Sequence, residues 1–151
     1  ALLTGAVTLV TTDGPAGRAG FTATAVSSVT DTPPTLLVCI NQKNETWEIL
    51  KQNGVFAVSL LPNGMEGLSN RFAGYEPVTM SGRFEQGTWQ PLATGAPVLA
   101  EALAVFDCQV SEQVLVGTHY VVFGRIVAAQ LQEASAQPLL YFNRQYRTVQ
   151  E

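Results

Sequence analysis

Residues 20–41 read GFTATAVSSVTDTPPTLLVCIN, and this stretch decides the fold. Its first part, residues 20–26, mixes small, hydroxyl and apolar side chains and predicts a strand. Residues 30–34 contain two prolines and predict a break, because proline cannot donate a hydrogen bond to a strand ladder. Residues 35–40 are apolar on both faces, which is typical of a strand buried in a core.

Similar apolar runs continue on both sides of this stretch. Residues 6–12 predict a strand that ends in a glycine-containing turn at 13–17. A helix is predicted at residues 45–52, with Asn44 as its cap and Asn53-Gly54 as its end. The remaining predictions are a strand at 55–61, a short helix at 64–72, a loop with little regular structure at 74–97, a hairpin of two long strands at 102–116 and 119–130, and a short strand at 138–142.

Six or so strands with only short helices predict a mainly β, antiparallel barrel, closed or partly closed, in one domain over residues 1–151. Hydrophobic residues make up 46% of the chain, which argues against intrinsic disorder. Charged residues are 13%, against about 25% in an average soluble domain. We therefore expect a second subunit or a flat organic ligand to cover part of an apolar surface.

The charge pattern disfavours nucleic acid and membranes as partners. The net charge is −4 and lysines and arginines form no cluster, whereas binding to polyanions needs clustered positive charge. No apolar run approaches the roughly 18 residues of a membrane-spanning helix. Cys39 and Cys108 lie inside apolar runs and predict buried, reduced thiols in a cytoplasmic protein. The chain begins at Ala1 rather than Met, so a removed N-terminal piece is an expectation.

Motifs for several kinds of catalysis are absent from the sequence. It contains no G-x-G-x-x-G, no Walker-type phosphate loop, no H-E-x-x-H and no cysteine pair with zinc spacing. One histidine, His119, cannot build a metal site alone, and no nucleophile-elbow motif accompanies it. If the protein is an enzyme, an organic cofactor is expected to supply the chemistry.

Three features of the sequence each allow both a functional and a purely structural interpretation. The small and hydroxyl residues at 20–29 fit a planar ligand near the backbone, or an ordinary Thr/Ala-rich strand. The polar residues at 41–46 precede a helix N-terminus and fit an anion, with Lys43 as the charge, or a solvated loop. His119 fits either a functional group that titrates near neutral pH or a structural residue.

Four segments follow one another along the chain: GAVTLVTT at 5–12, the stretch at 20–41, LSNRFAG at 68–74 and VGTH at 116–119. Their order resembles that of the flavin reductases of two-component monooxygenases. The resemblance covers nearly the whole chain and is strongest to the reductases of the pyrimidine-degradation and 4-hydroxyphenylacetate monooxygenases. It implies the FMN-binding split barrel, an antiparallel Greek-key barrel, as a homodimer. Members carry a helix before the first strand, so residues 1–4 would be its tail.

The resemblance also implies a reaction and a set of site residues. NADH or NADPH would reduce bound FMN, or alternatively FAD, by direct hydride transfer, and reduced flavin would pass to a separate monooxygenase. Flavin contacts implied by position are Thr22, Ala23, Thr24, Ala25, Ser27, Ser28, Asn41, Gln42, Lys43, Thr46, Arg71, Phe72 and Ala73. His119, in the Gly-Thr-His signature, would lie beside the nicotinamide, as would Tyr141 and Arg144 from LLYFNR at 139–144. Ser27 stands where close relatives often have Cys.

Two other functions remain open from the sequence. The same fold could reduce another acceptor, such as a cob(II)alamin precursor or ferric iron, with flavin as the carrier. A flavin-binding protein without enzymatic activity would also keep the stretch at 20–41. The oxidation of NADH with and without added FMN separates an enzyme from a binding protein.

Overall fold

The computed structural model describes residues 1–132 and 136–150, so residues 133–135 and 151 of the expected domain lie outside the description. Its helices are α1 (Glu45–Asn53) and α2 (Glu66–Phe72), and a 3-10 helix spans Ser81–Glu85. The strands are β1 (Gly5–Ala6), β2 (Thr8–Thr12), β3 (Ala19–Ala23), β4 (Val26–Asp31), β5 (Pro34–Asn41), β6 (Val55–Leu60), β7 (Trp89–Pro91), β8 (Pro97–Leu99), β9 (Ala104–Val116), β10 (His119–Leu131), β11 (Leu140–Phe142) and β12 (Gln145–Arg147).

Seven strands form the main antiparallel sheet, in the order β3-β2-β6-β9-β10-β5-β4. A flat sheet would hold β3 and β5 roughly 24 Å apart, because neighbouring strands are about 4.8 Å apart. Phe21 of β3 nevertheless packs in the same core cluster as Val38 of β5 and Val122 of β10. The sheet is therefore curled into a barrel, and the predicted mainly β, antiparallel barrel is confirmed.

Helix α1 forms where the sequence predicts it, with one further residue at its end. The Asn44 side-chain oxygen accepts a hydrogen bond from the backbone N–H of Thr46 at 2.9 Å, which caps the first turn. At the other end, Gly54 adopts the left-handed conformation with φ 71° and donates to the Leu50 carbonyl. Trp47 and Leu50 are buried, so the apolar side of the helix packs on the barrel.

The predicted single strand at 20–26 is wrong. Two strands, β3 and β4, meet there at an exposed corner formed by Thr24 and Ala25. The backbone N–H of Val26 donates to the Thr24 carbonyl at 3.0 Å, which makes a three-residue turn that no glycine or proline marks. The predicted break at 30–34 is also too wide, because Asp31 pairs with Pro34 and the hairpin turn contains two residues.

The predicted loop at 74–97 has more regular structure than expected, namely the 3-10 helix and the β7–β8 hairpin. Phe84 and Trp89 from this segment pack edge-on against each other at 5.0 Å and close over the buried ring of Phe72. The buried carboxylate of Asp107 accepts hydrogen bonds from the backbone of Ala93 and Thr94 at 2.8 and 2.9 Å. Contacts that are distant in sequence therefore order this segment.

The two ends of the chain differ from the sequence-based expectations. Residues 1–4 are not helical, so the helix tail implied by the resemblance is wrong for them. The Ala1 carbonyl instead accepts a hydrogen bond from the backbone N–H of Asn143 at 2.7 Å. The predicted strand at 138–142 is shorter, as β11, and its hairpin partner β12 was not predicted.

Cys108 is buried and Cys39 is half-buried, so the expectation of two buried cysteines is wrong for Cys39. Both thiols are free, as predicted. In the parts of the chain that the structure describes, neither helix has the length and apolar character needed to cross a membrane.

Candidate active site

Two cavities flank the corner between β3 and β4. The larger has a volume of about 330 Å³. Apolar side chains such as Leu36, Val58 and Phe106 line it, and threonine and serine residues also contribute to its lining. The smaller has a volume of about 190 Å³. Its lining residues are Val7, Thr22, Thr24, Ser69, Ala73, Tyr75, Tyr141 and Tyr146.

Thr24 lines both cavities and forms the ridge between them. A Cβ atom at Gly5 would lie 2.8 Å from the Thr24 Cβ, closer than real Cβ contacts allow. Strand β1 therefore needs a glycine at this position for the corner to sit on its backbone. Ser27 and Ser28, just beyond the corner, also line the larger cavity.

A hydrogen-bonded chain holds three elements around the smaller cavity. The Thr22 hydroxyl of β3 donates to the Ser69 carbonyl of α2 at 2.6 Å. The Ser69 hydroxyl lies 2.8 Å from the Tyr146 hydroxyl of β12, which donates to the Asn70 side-chain oxygen at 2.6 Å. The C-terminal hairpin is thereby fixed against the helix, with the Tyr141 and Tyr146 rings 5.3 Å apart.

His119 lies at the start of β10, directly opposite Asn41 at the end of β5. Both residues are exposed, and the His119 Nδ1 is 2.9 Å from the Thr118 hydroxyl. The backbone N–H of Gln42 donates to the Thr118 carbonyl at 2.9 Å. These bonds hold the loop that follows β5 against the β9–β10 turn.

Strand β5 connects the corner to His119. The Ala25 carbonyl accepts a hydrogen bond from the backbone N–H of Cys39 at 3.0 Å. Asn41 is two residues further along this strand, a distance of roughly 7 Å at the usual rise of a strand. The corner and His119 therefore both lie beside the C-terminal end of β5.

A model of the flavin reductase like domain matches residues 1–150 of the chain. The chain belongs to the flavin reductase like domain family. FMN reductase (NADH) RutF of Escherichia coli O6:K15:H31 is 49% identical over 144 residues, which cover 95% of this chain and 86% of that protein.

Two solved structures of flavin reductases have the same fold. The NADH:FAD oxidoreductase SgcE6 of Streptomyces globisporus C-1027, in complex with NAD and FAD fragments, matches with a TM-score of 0.87 and 26% identity. That match covers 97% of this chain and 86% of SgcE6. The styrene monooxygenase flavin reductase of Pseudomonas putida S12 matches with a TM-score of 0.86 and 28% identity over 99% of this chain and 94% of that one.

Within this flavin reductase like domain, the predicted site residues fall into three groups. Those at the cavities are Thr22, Thr24, Ser27, Ser28, Ala73 and Tyr141, with Ala25 on the exposed corner between them. Those at the far end of β5 are Asn41, Gln42, Lys43, Thr46 and His119. Ala23, Arg71, Phe72 and Arg144 line neither cavity.

The residues of the last group make other contacts. Ala23 and Phe72 are part of the hydrophobic core. The buried Arg71 guanidinium donates twice to the Gly82 carbonyl and forms an ion pair with Glu76 at 3.0 Å. Arg144 is exposed and has a positive φ of 61° in the turn between β11 and β12. Their predicted ligand contacts stay predictions, and Arg71 already has protein partners for its charge.

The loop before α1 fits a phosphate through its side chains more than through its backbone. The N–H groups of Lys43, Asn44 and Thr46 all donate within the loop. Lys43 is exposed and makes no ion pair with the described residues. The Thr46 hydroxyl is buried and has no hydrogen-bond partner among them. A cation with nearby amide and hydroxyl groups is a donor set suited to a phosphate.

The structure adds residues to the site that the sequence did not single out. Ser69 and Asn70 belong to the LSNRFAG segment, so their position in that motif is a signal that could have found them. Tyr75 and Tyr146 carry no such signal. Tyr146 lies 76 residues from Asn70 in the chain, and the fold alone brings the two together.

Proposed function

We propose that the protein catalyses the reduction of free flavin by NADH or NADPH and supplies the reduced flavin to a separate monooxygenase. FMN is the proposed flavin, with FAD as the alternative. The support is membership of the flavin reductase like domain family over residues 1–150, together with the FMN reductase (NADH) relative. In the terms of enzyme classification, this is an NAD(P)H:flavin oxidoreductase of class 1.5.1.

The structural feature that best supports this proposal is the corner at Thr24 and Ala25, which has a cavity on each side. A flavin held at this corner would supply the hydride acceptor, and the nicotinamide of NADH or NADPH would supply the hydride. A direct transfer needs two flat rings held about 3–3.5 Å apart, and it needs no nucleophile or general base from the protein. The corner presents small and hydroxyl side chains, which permit that close approach.

The chain's own residues bind and orient the two molecules. Thr22, Thr24 and Ala25 would lie along the flavin ring and ribityl chain, and Ser27 and Ser28 would approach the ribityl chain or the phosphate. Lys43 is the one cation at the loop before α1 and would hold the phosphate by charge. His119, opposite Asn41 at the C-terminal end of β5, would orient the nicotinamide carboxamide through its ring nitrogen.

The proposal includes a homodimer in the cytoplasm. The apolar side chains of Val114, Leu115 and Val116 at the end of the β9–β10 hairpin are 41–61% exposed, and a second subunit would cover such a surface. Two free thiols accord with a reducing compartment. Sedimentation at micromolar concentration should give twice the mass of the 16.2 kDa chain, and a monomer would contradict the dimer.

The test of the function is the oxidation of NADH by the purified protein under anaerobic conditions, followed with and without added FMN. A flavin reductase oxidises NADH only when flavin is present and bleaches an equal amount of flavin. Flavin binding without NADH oxidation would indicate a binding protein instead. Parallel assays with cob(II)alamin and ferric iron as acceptors, at catalytic amounts of FMN, test the alternative function in the same experiment.

A further inference from the structure

The dipeptide Asn-Gly occurs twice in the chain, at residues 53–54 and 63–64. Asparagine is a thermolabile residue type, and it is most reactive before glycine, which has no side chain to hinder an attack by its own backbone nitrogen. That nitrogen forms a bond to the asparagine Cγ, ammonia leaves, and water then opens the resulting five-membered imide. Opening at one carbonyl gives aspartate. Opening at the other gives isoaspartate, in which the main chain runs through the former side-chain carbon.

The fold restrains the first of these two sites, Asn53, at the end of α1. Its side-chain oxygen accepts a hydrogen bond from the backbone N–H of Ala16 at 2.8 Å. Its amide nitrogen donates to the Gly17 carbonyl at 2.9 Å and to the Thr12 hydroxyl at 3.1 Å. The backbone N–H of Gly54, which would be the attacking group, donates to a carbonyl of α1 at 2.8 Å. These hydrogen bonds must break before the two groups can meet.

The second site, Asn63, has no such restraint on its side chain. It is exposed in the turn between β6 and α2, and its side chain makes no hydrogen bond with the residues that the structure describes. The backbone N–H of Gly64 is bonded to a side chain, the half-buried Glu66 carboxylate, at a long distance of 3.3 Å. A Cβ atom at Gly64 would meet nothing within 4 Å, so the space around this residue is open.

We propose that Asn63 is a site of spontaneous deamidation in the folded protein, that Asn53 is protected from it, and that the isoaspartate formed at residue 63 destabilises α2. The reaction consumes water and releases ammonia, and it needs no enzyme, cofactor or oxidant.

The effect on α2 follows from the hydrogen bonds of the turn that contains Asn63. The Asn63 N–H donates to the Gln137 carbonyl at 2.7 Å, and the Met65 N–H donates to the Pro62 carbonyl at 3.4 Å. The Met65 carbonyl accepts a hydrogen bond from the Ser69 N–H at 3.1 Å as α2 begins. An isoaspartate adds one carbon atom to the main chain inside this closed turn, so the three bonds cannot all keep their geometry. Ser69 lines the smaller cavity, so the modification reaches an element of the candidate active site.

The site is tested by peptide mapping of the wild-type protein after incubation at pH 8, in native buffer and in parallel in urea. Trypsin cleaves after Lys51 and Arg71, so both asparagines fall in the peptide 52–71, and fragment ions show which one has exchanged NH₂ for OH. In the native protein we expect deamidation at Asn63 to be at least about tenfold faster than at Asn53, because several hydrogen bonds hold Asn53. In urea the two rates should be similar. A sample digested without incubation gives the background.

The effect on α2 is measured on the fraction that anion exchange separates, since deamidation adds one negative charge. Reversed-phase separation of its peptides distinguishes isoaspartate from aspartate. We expect the isoaspartate form to melt at least about 2 °C below the unmodified protein. Asn63→Asp is the matched control, because it has the same charge on an ordinary main chain, and it should melt like the wild type. Asn63→Ser removes the side-chain amide and should show no deamidation at residue 63.

Each part of the proposal has an outcome that overturns it. Equal native rates at the two asparagines, or no change at Asn63 above the background, overturns the modification site. A slow reaction at Asn53 in urea as well would show that the fold does not protect it. An unchanged melting temperature of the isoaspartate form, or an equal fall in Asn63→Asp, overturns the effect on α2. None of these measurements uses flavin or NADH, so they are independent of the proposed function.

Discussion

His119 and Asn41 lie opposite each other in the antiparallel register of β10 and β5, and both are exposed at the end of their strands. The β5–β10 ladder has seven residue pairs, from His119 to Arg125 of β10, and this pair is the first of them. A side chain at the open end of such a ladder is held by a rigid backbone without being needed for packing. This arrangement suits a residue that orients a ligand.

The first prediction is that His119→Ala lowers hydride transfer by about 10- to 100-fold, because the role proposed for His119 is to position the nicotinamide rather than to react. Flavin affinity and melting temperature should change little, since the side chain is exposed. Stopped-flow reduction of bound flavin by NADH measures the effect, and His119→Gln should keep part of the rate through its amide. A wild-type rate in the alanine variant, or a parallel loss of stability and flavin binding, would contradict this role.

The second prediction concerns the corner. Ala25 is exposed, so Ala25→Trp should fold normally, but the bulky ring should obstruct the flavin and weaken its binding by at least about tenfold. Fluorescence quenching of FMN measures the affinity. Ala129→Trp, at an exposed alanine of β10 outside both cavities, is the matched control. Equal affinities of the two variants for FMN would show that the flavin does not bind at this corner.

Local signals explain which parts of the fold the sequence could predict. Helix α1 has a capping asparagine before it and a glycine after it, and both act within a few residues. The corner at Thr24 and Ala25 has no such signal, because its turn depends on the hydrogen bond from Cys39 and on the packing against Gly5. A strand pattern without glycine or proline does not show that the chain changes direction there.

The candidate site also contains residues that local sequence motifs predict and residues that only the fold brings together. Position within recognisable motifs predicted Thr22, Thr24 and Tyr141, which the fold brings to one cavity. Tyr146 was missed because its role depends on a hydrogen bond across 76 residues. Arg71 lies in one of these motifs, but its charge is taken by a carbonyl and a carboxylate within 11 residues of it. A motif gives residue types, and the fold decides which of them face a ligand.

The third prediction tests the barrel packing at Gly124 of β10. A Cβ there would lie 2.4 Å from Phe56 Cζ and 2.9 Å from Cys108 Cβ, so Gly124→Ala must displace the core. We expect a loss of about 1–3 kcal/mol in the free energy of unfolding, at about 2–4 °C of melting temperature per kcal/mol. Gly67→Ala in α2, where a Cβ meets nothing within 4 Å, should instead be neutral or stabilising. The melting temperature of each variant is compared with that of the wild type. Equal shifts in the two variants would contradict the close packing at Gly124.

The fourth prediction is that one of the two thiols reacts in the folded protein. Only a thiolate is an effective nucleophile, and burial raises the pKa of the Cys108 thiol, whereas Cys39 is half-buried. A disulfide reagent at pH 8 should label one cysteine in the native protein and two after denaturation. Cys39→Ser should abolish native labelling. Equal labelling rates for both cysteines would show that Cys108 is accessible.

The fifth prediction follows from the pKa of Cys108. Burial, with a smaller contribution from the negative charge of Asp107, raises the pKa of this thiol to about 12 from an ordinary value near 9. Below pH 9 the thiol is protonated in both the folded and the unfolded chain, so it has no effect on the pH dependence of stability. Between about pH 9 and 12 the unfolded chain loses this proton and the folded protein keeps it. The unfolded state is therefore stabilised relative to the folded one by up to about 1.4 kcal/mol per pH unit.

Other groups also titrate in this range, so the measurement is the difference between wild type and Cys108→Ala in urea unfolding at pH 8, 9, 10 and 11. The variant has a lower stability at pH 8 because of the cavity it leaves, but its stability should fall less steeply above pH 9. Parallel curves for the two proteins would show that Cys108 ionises in the folded state as easily as in the unfolded one.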